Sequence, residues 1–449
     1  MSERGLQLLQ GTVERLLRRN ATMNLIKILN KTHHADIAHL FKHLPDKHAL
    51  IVFELLPDVE TAGDVISELE VSYRNHFLQL VNEDRLVEIF GSMASDDAAE
   101  VLAEMPEEVR ESLLRKMAES GTDDLEEILS YPDDTAGRIM VTEYLALPET
   151  MSAREAIAEI RAAAEAEMVF YLYVIDEHGK LVGVISLRQL VMASDDTPLS
   201  DIMTRDVVAV KVDTDQEEVA RRVARYNILA IPVIDHDDVL VGIVTVDDII
   251  DVIRQETTED MLKMAGTSEE EITSFSVMRS VKVRLPWLIA SWFGGLLVSM
   301  TIDHFESKII ALTALAAFIP IILGMGGNIG TQSATITVRG LATGRIDPSS
   351  LGRIIFKEIR VGLLLGLAYG VLLGLAGWYL KGNFDLGIVV GIAICANMTF
   401  AAMLGTFLPL LLNKLHIDPA VASGPFVTTM IDNIGVLVYF AIATIFLPV

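Results

Sequence analysis

The segment SGPFVTTMIDNIGVLVYFAIATIFLPV, Ser423 to Val449, reads as a membrane-crossing helix with one carboxylate, Asp432, inside it. If the helix begins near Gly424, Asp432 lies roughly eight residues in, about 12 Å deep at ~1.5 Å per residue. An ionised carboxylate facing lipid is costly, so Asp432 must face a cavity or a partner. The apolar segments hold essentially no Lys or Arg to pair with it. Other polar groups share the same depth. Asn328, Thr331 and Gln332 lie in LGMGGNIGTQSAT, Asn397 and Thr399 in a second apolar run, and Thr428 in the segment of Asp432 itself. Oxygen donors without thiol or imidazole suit a hard cation. Mg²⁺ keeps most of its waters and is bound through few carboxylates, so one Asp with amide and hydroxyl oxygens suits a hydrated Mg²⁺. Two copies of Asp432 around a two-fold axis would strengthen the site, which makes a homodimer with a shared pore attractive. For the small residues of LGMGGNIGTQSAT and for Asn397 and Thr399 the alternative is helix–helix packing and hydrogen bonding. A Gly-Gly break that turns carbonyls toward a water-filled path is the other reading.

These groups must be carried by elements that span a bilayer. Five apolar segments are long enough or nearly so, at approximately Leu285–Ile302, Ile309–Ile336, Val361–Leu380, Leu386–Leu412 and Gly424–Leu447. Basic residues sit before the first segment (Arg279, Lys282, Arg284), between the second and third, and at Lys414 between the fourth and fifth. The two opposite loops carry one Lys each. This places the N-terminus inside and the C-terminus outside a cell membrane. Charge is segregated along the chain. Residues 280–449 carry a net +3 and residues 1–279 a net −29. So acidic a body repels nucleic acid and attracts cations. The start MSERGLQLLQGTVERLL lacks the apolar core of a signal peptide, so the acidic half is expected to stay in the cytoplasm. The single cysteine, Cys395, excludes a disulfide framework within the chain.

The acidic half contains two repeats. Residues 1–130 show a period near 3.6, and at an offset of 61 Asp36, Ala38, Leu40 and Pro45 align with Asp97, Ala99, Val101 and Pro106. Each unit reads as helix, Pro-led turn and helix, giving a small superhelical α-domain. Between 131 and 253, YVID and LVGVIS (Tyr173–Asp176, Leu181–Ser186) recur at an offset of 59 as PVID and LVGIVT (Pro232–Asp235, Leu240–Thr245). Apolar β-branched runs bounded by Asp/Gly turns are strands, and helical patterns flank each pair. From Asp247 apolar and acidic residues alternate at helical spacing up to the membrane, as a connecting helix.

The β-α-β-β-α arrangement, opened by GRIMVTEYLALPETMSAREAI and DIMTRDVVAVKVDTDQEEVA, resembles a tandem pair of CBS domains. The whole order of parts, with PIILGMGGNIGTQSAT and DPAVASGPFVTTMIDNIG in the membrane half, resembles the MgtE family of magnesium channels. The fold expected is therefore multidomain. An acidic helical N-domain (1–130) precedes a first (131–200) and second (201–253) CBS domain, a connecting plug helix (254–279) and a five-span α-helical pore domain (280–449).

The resemblance implies a homodimeric Mg²⁺-selective channel closed by cytosolic Mg²⁺. It maps the pore aspartate to Asp432 and the polar pore positions to Asn328 and Gln332. The family position eight residues before the pore Asp can be Asn and is Gly424 here, so that side-chain oxygen is absent. Regulatory Mg²⁺ ligands implied by the resemblance are Asp96, Asp97, Asp247, Asp248, Asp251, Glu256, Glu259 and Asp260. Asp213, Asp215, Glu217 and Asp418 are expected to face the connecting helix as further regulatory Mg²⁺ ligands, and Gly137 to lend a carbonyl to the same metal sites. CBS pairs sense ligands, often adenosine nucleotides, so ATP is a candidate second ligand. The gating logic follows from charge: crowded acids repel one another and divalent ions bridge them, shifting the population toward a compact state.

A broader divalent pathway (Co²⁺, Mn²⁺, Ni²⁺), an ion-coupled transporter using Asp432, and a membrane-tethered nucleotide sensor are the alternatives. A tether needs no buried Asp. An enzyme is disfavoured, since neither a GxxxxGK[ST] loop nor HExxH occurs. His39 and His43 share a helix face but read as surface residues.

Overall fold

Short amphipathic helices build the first 130 residues, ten of them from Glu3–Arg18 to Asp124–Ser130 among the described residues. The computed structural model describes residues 3–120, 124–162, 170–268, 270–273, 276–305, 313–347, 350–422 and 424–447. The chain divides into two compact units, Met1–Ile253 and Arg254–Val449.

In the first unit the offset-61 repeat takes shape as helix, proline turn and helix. His34–Phe41 leads through Pro45 into Asp46–Glu54, and Ser95–Ala103 through Pro106 into Glu107–Ser120. Proline suits the turn because it cannot donate the amide that a continuing helix would need. Phe41, Phe53 and Phe77 fill the core, with ring centroids 5.2–6.4 Å apart at steep angles, the arrangement favoured by their quadrupoles. Arg74 is buried at 1% exposure. Its guanidinium meets Glu104 at 2.6 Å, Glu100 at 3.1 Å and the Ser67 carbonyl at 3.2 Å. A buried charge is tolerated only with such partners.

Two three-stranded sheets follow, each with one parallel and one antiparallel pairing. The first joins Ala146–Pro148, Tyr171–Ile175 and Leu181–Ser186, and the second joins Val210–Lys211, Ala230–Ile234 and Leu240–Thr245. The offset-59 repeat is exact down to its irregularities, with a bulge at Val174/Ile175 and again at Val233/Ile234. Asp176 and Asp235 close the hairpin turns, each carboxylate accepting two backbone amides at 2.8–2.9 Å. The two copies exchange their lead-in segments. Val141, ahead of the first copy, pairs with Ile243 of the second sheet, and Thr204, ahead of the second copy, pairs with Val184 of the first. Met140 covers Gly242 and Met203 covers Gly183, where any Cβ would overlap the methionine.

Helix Val246–Ala265 carries the chain from the first unit into the second. It stops well before the expected 279, because Gly266 takes a left-handed φ of +73° and the Thr267 amide returns to the Leu262 carbonyl. This is a helix-terminating geometry open to glycine. A separate short helix, Glu270–Thr273, follows.

The second unit holds five helices long and apolar enough to span a membrane: Val277–His304, Thr313–Ala342, Leu351–Lys381, Phe384–Lys414 and Gly424–Phe446. They are called here the first to fifth membrane helices. Most outrun the apolar segments read from sequence, since helices continue into the flanking basic turns. The segment read from Ile309 lies partly outside the described residues. The second membrane helix runs unbroken from Ile319 to Ala342, so the Gly-Gly break did not form. Gly326, Gly327 and Gly330 instead face neighbouring helices: a Cβ at Gly326 or Gly330 would strike Asn397 or Ile431, and one at Gly327 would touch Thr428. The third and fourth helices meet along a glycine ladder. A Cβ at Gly366, Gly370 or Gly374 would lie 2.7–2.9 Å from the carbonyl of Cys395, Gly391 or Gly387. Small residues let backbones touch where lipid supplies no hydrophobic drive.

Candidate ion-binding sites

The second and fifth membrane helices pack through Ile431, whose side chain lies over Gly326 and Gly330. This contact brings the level of Asn328 on one helix to that of Asp432 on the other. Around the second helix the residue types separate by face. Gly326, Gly327, Ile329, Gly330, Ser333 and Ala334 are buried, whereas Asn328, Thr331, Gln332 and Thr335 are exposed. A polar stripe at membrane depth, open in a single chain, needs water, an ion or another polar surface. Asp432 is half-exposed and has no hydrogen-bond or ion-pair partner among the described residues. Thr428, one turn earlier, donates to the Gly424 carbonyl at 3.0 Å. Thr399 likewise donates to its own helix, to the Cys395 carbonyl at 2.8 Å.

Asn397 is placed differently from its expected role as a pore ligand. It is 1% exposed, its amide donates to the Ile322 carbonyl at 2.7 Å, and it sits where Gly326 and Gly435 leave room. It ties the fourth helix to the second and fifth. Two polar residues that the sequence reading passed over make similar ties. Asn433 donates to the Gly294 carbonyl of the first helix at 3.2 Å and to the Thr429 carbonyl at 2.9 Å. Ser333 donates to Glu358, a 5%-exposed acid on the third helix, at 3.1 Å. Their glycine neighbours and the lone acid were the available signals.

In the first unit three of the expected regulatory acids come together. Asp97 and Asp248 stand near one another, with Asp96, Asp64 and Glu100 beside them. Burial pushes Asp97 up to about 6, reinforced by the charges of Glu100, Asp248 and Asp64. Burial likewise pushes Asp248 up to about 6, while a hydrogen bond from Thr245 opposes the shift and the Asp247 charge adds to it. The helix bearing Asp96 and Asp97 is pinned to the CBS pair by Ser95, whose hydroxyl donates to Glu143 at 2.9 Å and accepts the Thr142 amide at 2.9 Å. Glu100 is paired with Arg74 at the edge of the group, but the crowded, half-buried carboxylates of Asp97 and Asp248 fit a hard divalent cation. No three His, Cys, Asp or Glu side chains converge into a preformed metal shell among the described residues, so an ion there would keep part of its water.

The sign of the pH effect follows. Both acids hold a proton more tightly folded than unfolded, so their contribution to stability is fully present below about pH 4, is lost as pH rises through about 6, and then levels. In metal-free full-length protein we expect a loss on the order of 1–2 kcal/mol between pH 5 and 7.5. Asp248→Asn should flatten that slope in a thermal melt; an unaltered slope would exclude Asp248 as its source.

The remaining expected regulatory residues are dispersed. Asp247 and Asp251 are exposed on the helix of Asp248, and Glu256 is half-buried farther along it. Asp213 is exposed, Asp215 caps helix Gln216–Tyr226 by accepting the Glu217 amide, and Glu217 lies 3.5 Å from Arg221. Gly137 lies against the Tyr131 ring, which a Cβ would strike at 2.7 Å. Glu259 and Asp418 share Lys263, at 2.6 and 2.8 Å. Burial acts against the Lys263 charge, but hydrogen bonds to Asp418 and Glu259 outweigh it and hold the ammonium above its ordinary range. Asp260 is raised by burial and by Asp418, with Lys263 and Arg339 opposing. The His39 and His43 rings lie 5.5 Å apart.

Five helices long and apolar enough to span a membrane, an acid at membrane depth with no hydrogen-bond or ion-pair partner among the described residues, and an acidic unit with two three-stranded sheets are the plan of a membrane cation transporter with a large soluble part. Family models agree part by part: a divalent cation transporter over residues 319–442, an MgtE intracellular N domain over 32–134, and CBS domains over 136–196 and 199–255. The chain belongs to the MgtE family of magnesium transporters. It is 37% identical over 433 residues to the magnesium transporter MgtE of Bacillus subtilis, covering 96% of each chain. It is 38% identical over 443 residues to that of Thermus thermophilus, covering 97% of this chain and 98% of the other. Among solved structures it resembles the cytosolic domain of the Mg²⁺ channel MgtE in complex with ATP. There the identity is 36% and the TM-score 0.52, covering 54% of this chain and 99% of that one. The soluble part of a magnesium transporter matches at 31% identity and a TM-score of 0.52, covering 56% and 99%. The family is one of membrane transporters and not of enzymes.

Proposed function

We propose that this chain forms a homodimeric, Mg²⁺-selective channel for magnesium uptake, closed when cytosolic Mg²⁺ binds the acidic unit and opened when it falls. The observation that carries this reading is the unpaired Asp432 level with an exposed polar stripe, Asn328, Thr331, Gln332 and Thr335, on the neighbouring helix. A second copy facing that stripe would enclose a water-filled path lined by two carboxylates. In this reading Asp432, Asn328, Gln332 and Thr428 line the pore, and Asp96, Asp97 and Asp248 hold regulatory Mg²⁺. The acidic unit and N-terminus face the cytoplasm and the C-terminus lies outside. The domain limits are those read from the sequence, except that the connecting helix is Val246–Ala265. The likeness to an ATP-bound cytosolic domain supports nucleotide binding by the CBS pair.

The test is Mg²⁺ current across a patch while cytosolic-side Mg²⁺ is stepped from micromolar to ~10 mM. Current that falls as Mg²⁺ rises is expected. Flux only with an opposing ion gradient would mean coupled transport, and nucleotide binding without flux would mean a tethered sensor. Competition by Co²⁺, Mn²⁺ and Ni²⁺ measures selectivity.

Asn397 is assigned a structural role. Asn397→Ala should lower the thermal stability of the full-length protein by about 1 kcal/mol while leaving Mg²⁺ selectivity intact. A change of selectivity in that variant would return Asn397 to the pore.

A further inference from the structure

The end of the connecting helix meets the membrane helices through two basic side chains, Lys263 and Arg339. Lys263 reaches Asp418, between the fourth and fifth membrane helices, at 2.8 Å, and Glu259 on its own helix at 2.6 Å. The other oxygen of Asp418 accepts the Ala420 amide at 2.8 Å. Arg339, on the second membrane helix, donates to Thr257 at 3.2 Å. Below Lys263 the helix end rests on the start of the fifth membrane helix. The Met264 carbonyl would lie 2.5 Å from a Cβ at Gly424, and Gly266 faces Pro425. Gly424 therefore leaves a seat for a carbonyl at a helix C-terminus over the N-terminus of the helix that carries Asp432. Opposite partial charges meet there.

We propose that Lys263 is a tethered cation that latches the connecting helix onto the pore unit through Asp418, with Gly424 as the seat, so that this contact forms without Mg²⁺. The proposal rests on the channel reading for its effect on current. It differs from the resemblance in one respect, since Glu259 and Asp418 are there expected to bind Mg²⁺. A lysine within 3 Å of both carboxylates offsets half of their charge without the dehydration of a free divalent ion, and such an ion would have to displace it. On this view Mg²⁺ sensitivity resides in the acids around Asp97 and Asp248, while the latch sets how readily the helix stays docked once they are bridged.

Two measurements on the full-length protein test this. In patch recordings, Lys263→Met should leave more current at micromolar Mg²⁺ and raise the half-closing Mg²⁺ concentration about fivefold or more, the range of ordinary coupling between sites. Lys263→Arg should retain wild-type closure, and Lys263→Asp combined with Asp418→Lys should recover part of it. Closure of Lys263→Met at unchanged Mg²⁺ overturns the latch. Closure at lower Mg²⁺ overturns it too, by showing that Mg²⁺ and the lysine compete for the same acids. The second measurement does not involve current. Zero-length carbodiimide coupling in EDTA should give a Lys263–Asp418 cross-linked peptide, detected by mass spectrometry and undiminished by Mg²⁺; its absence in EDTA overturns the proposal. A cross-link alongside wild-type current that ignores Mg²⁺ keeps the latch and removes the channel's feedback. Normal feedback without a cross-link does the reverse.

Discussion

Asp432→Ala is expected to reduce Mg²⁺ flux to background while the protein still assembles and inserts. The carboxylate makes no hydrogen bond or ion pair among the described residues, and its neighbours Ile431 and Asn433 carry the packing onto the second and first helices. What disappears is the only acid of the fifth helix, and with it the charge that makes a divalent ion stable at membrane depth. Removing one unit charge near a dication costs several kcal/mol at the effective dielectric of a partly hydrated site, enough for a hundredfold or greater loss of occupancy. Asp432→Asn keeps the shape and should fail nearly as badly. Isotope uptake into vesicles decides the matter: wild-type flux in the Ala variant would remove Asp432 from the pore.

Neutralising Asp247, Asp248 and Asp251 together should leave the channel conducting at ~10 mM cytosolic Mg²⁺, where the proposed function has the unaltered protein closed. The structure apportions that effect unevenly. Asp248 stands against Asp97 and is held by Thr245, whereas Asp247 and Asp251 point to solvent on the same helix. Asp248→Asn alone should therefore shift closure most of the way, and the other two should add little beyond screening. Without the carboxylate the repulsion that spreads the acids is weaker, but so is the metal site that draws them together. Because a bridging dication prefers the compact state through both acids at once, its loss outweighs the relief of repulsion. Current that still closes in the triple variant would take these three acids out of the sensor.

Repeats and hydropathy made much of the fold legible. The offset-59 copies carry their own turns, because Asp176 and Asp235 bind the amides that follow them. Helix ends were less readable. Nothing in KMAGTSEEE says that Gly266 will terminate the connecting helix rather than sit within it, since a glycine is tolerated in either place. GMGGN was ambiguous for a related reason: the same residues unwind a helix or let another backbone approach, and only the neighbours Asn397 and Ile431 decide. Asp432 was legible because an acid in an apolar run has few explanations. Lys263 was not, because a lysine among glutamates near a helix C-terminus reads as a solvated charge, and Asp418 lies 155 residues away in the chain.

The exchanged lead-in segments of the CBS pair have a mechanical consequence. Each sheet is bridged at one residue pair by the lead-in of the other copy, with Met140 and Met203 crossing in opposite directions. Pulling on one lead-in therefore tugs the opposite sheet. The pair thus works as a single lever with two ends: the segment of Met140 and Val141, next to Thr142 and Glu143 that grip Ser95, at one end, and the helix that begins at Val246 at the other. A displacement imposed where the acids gather is handed through Ile243 to the strand that runs directly into that helix, with no loop in between to absorb it.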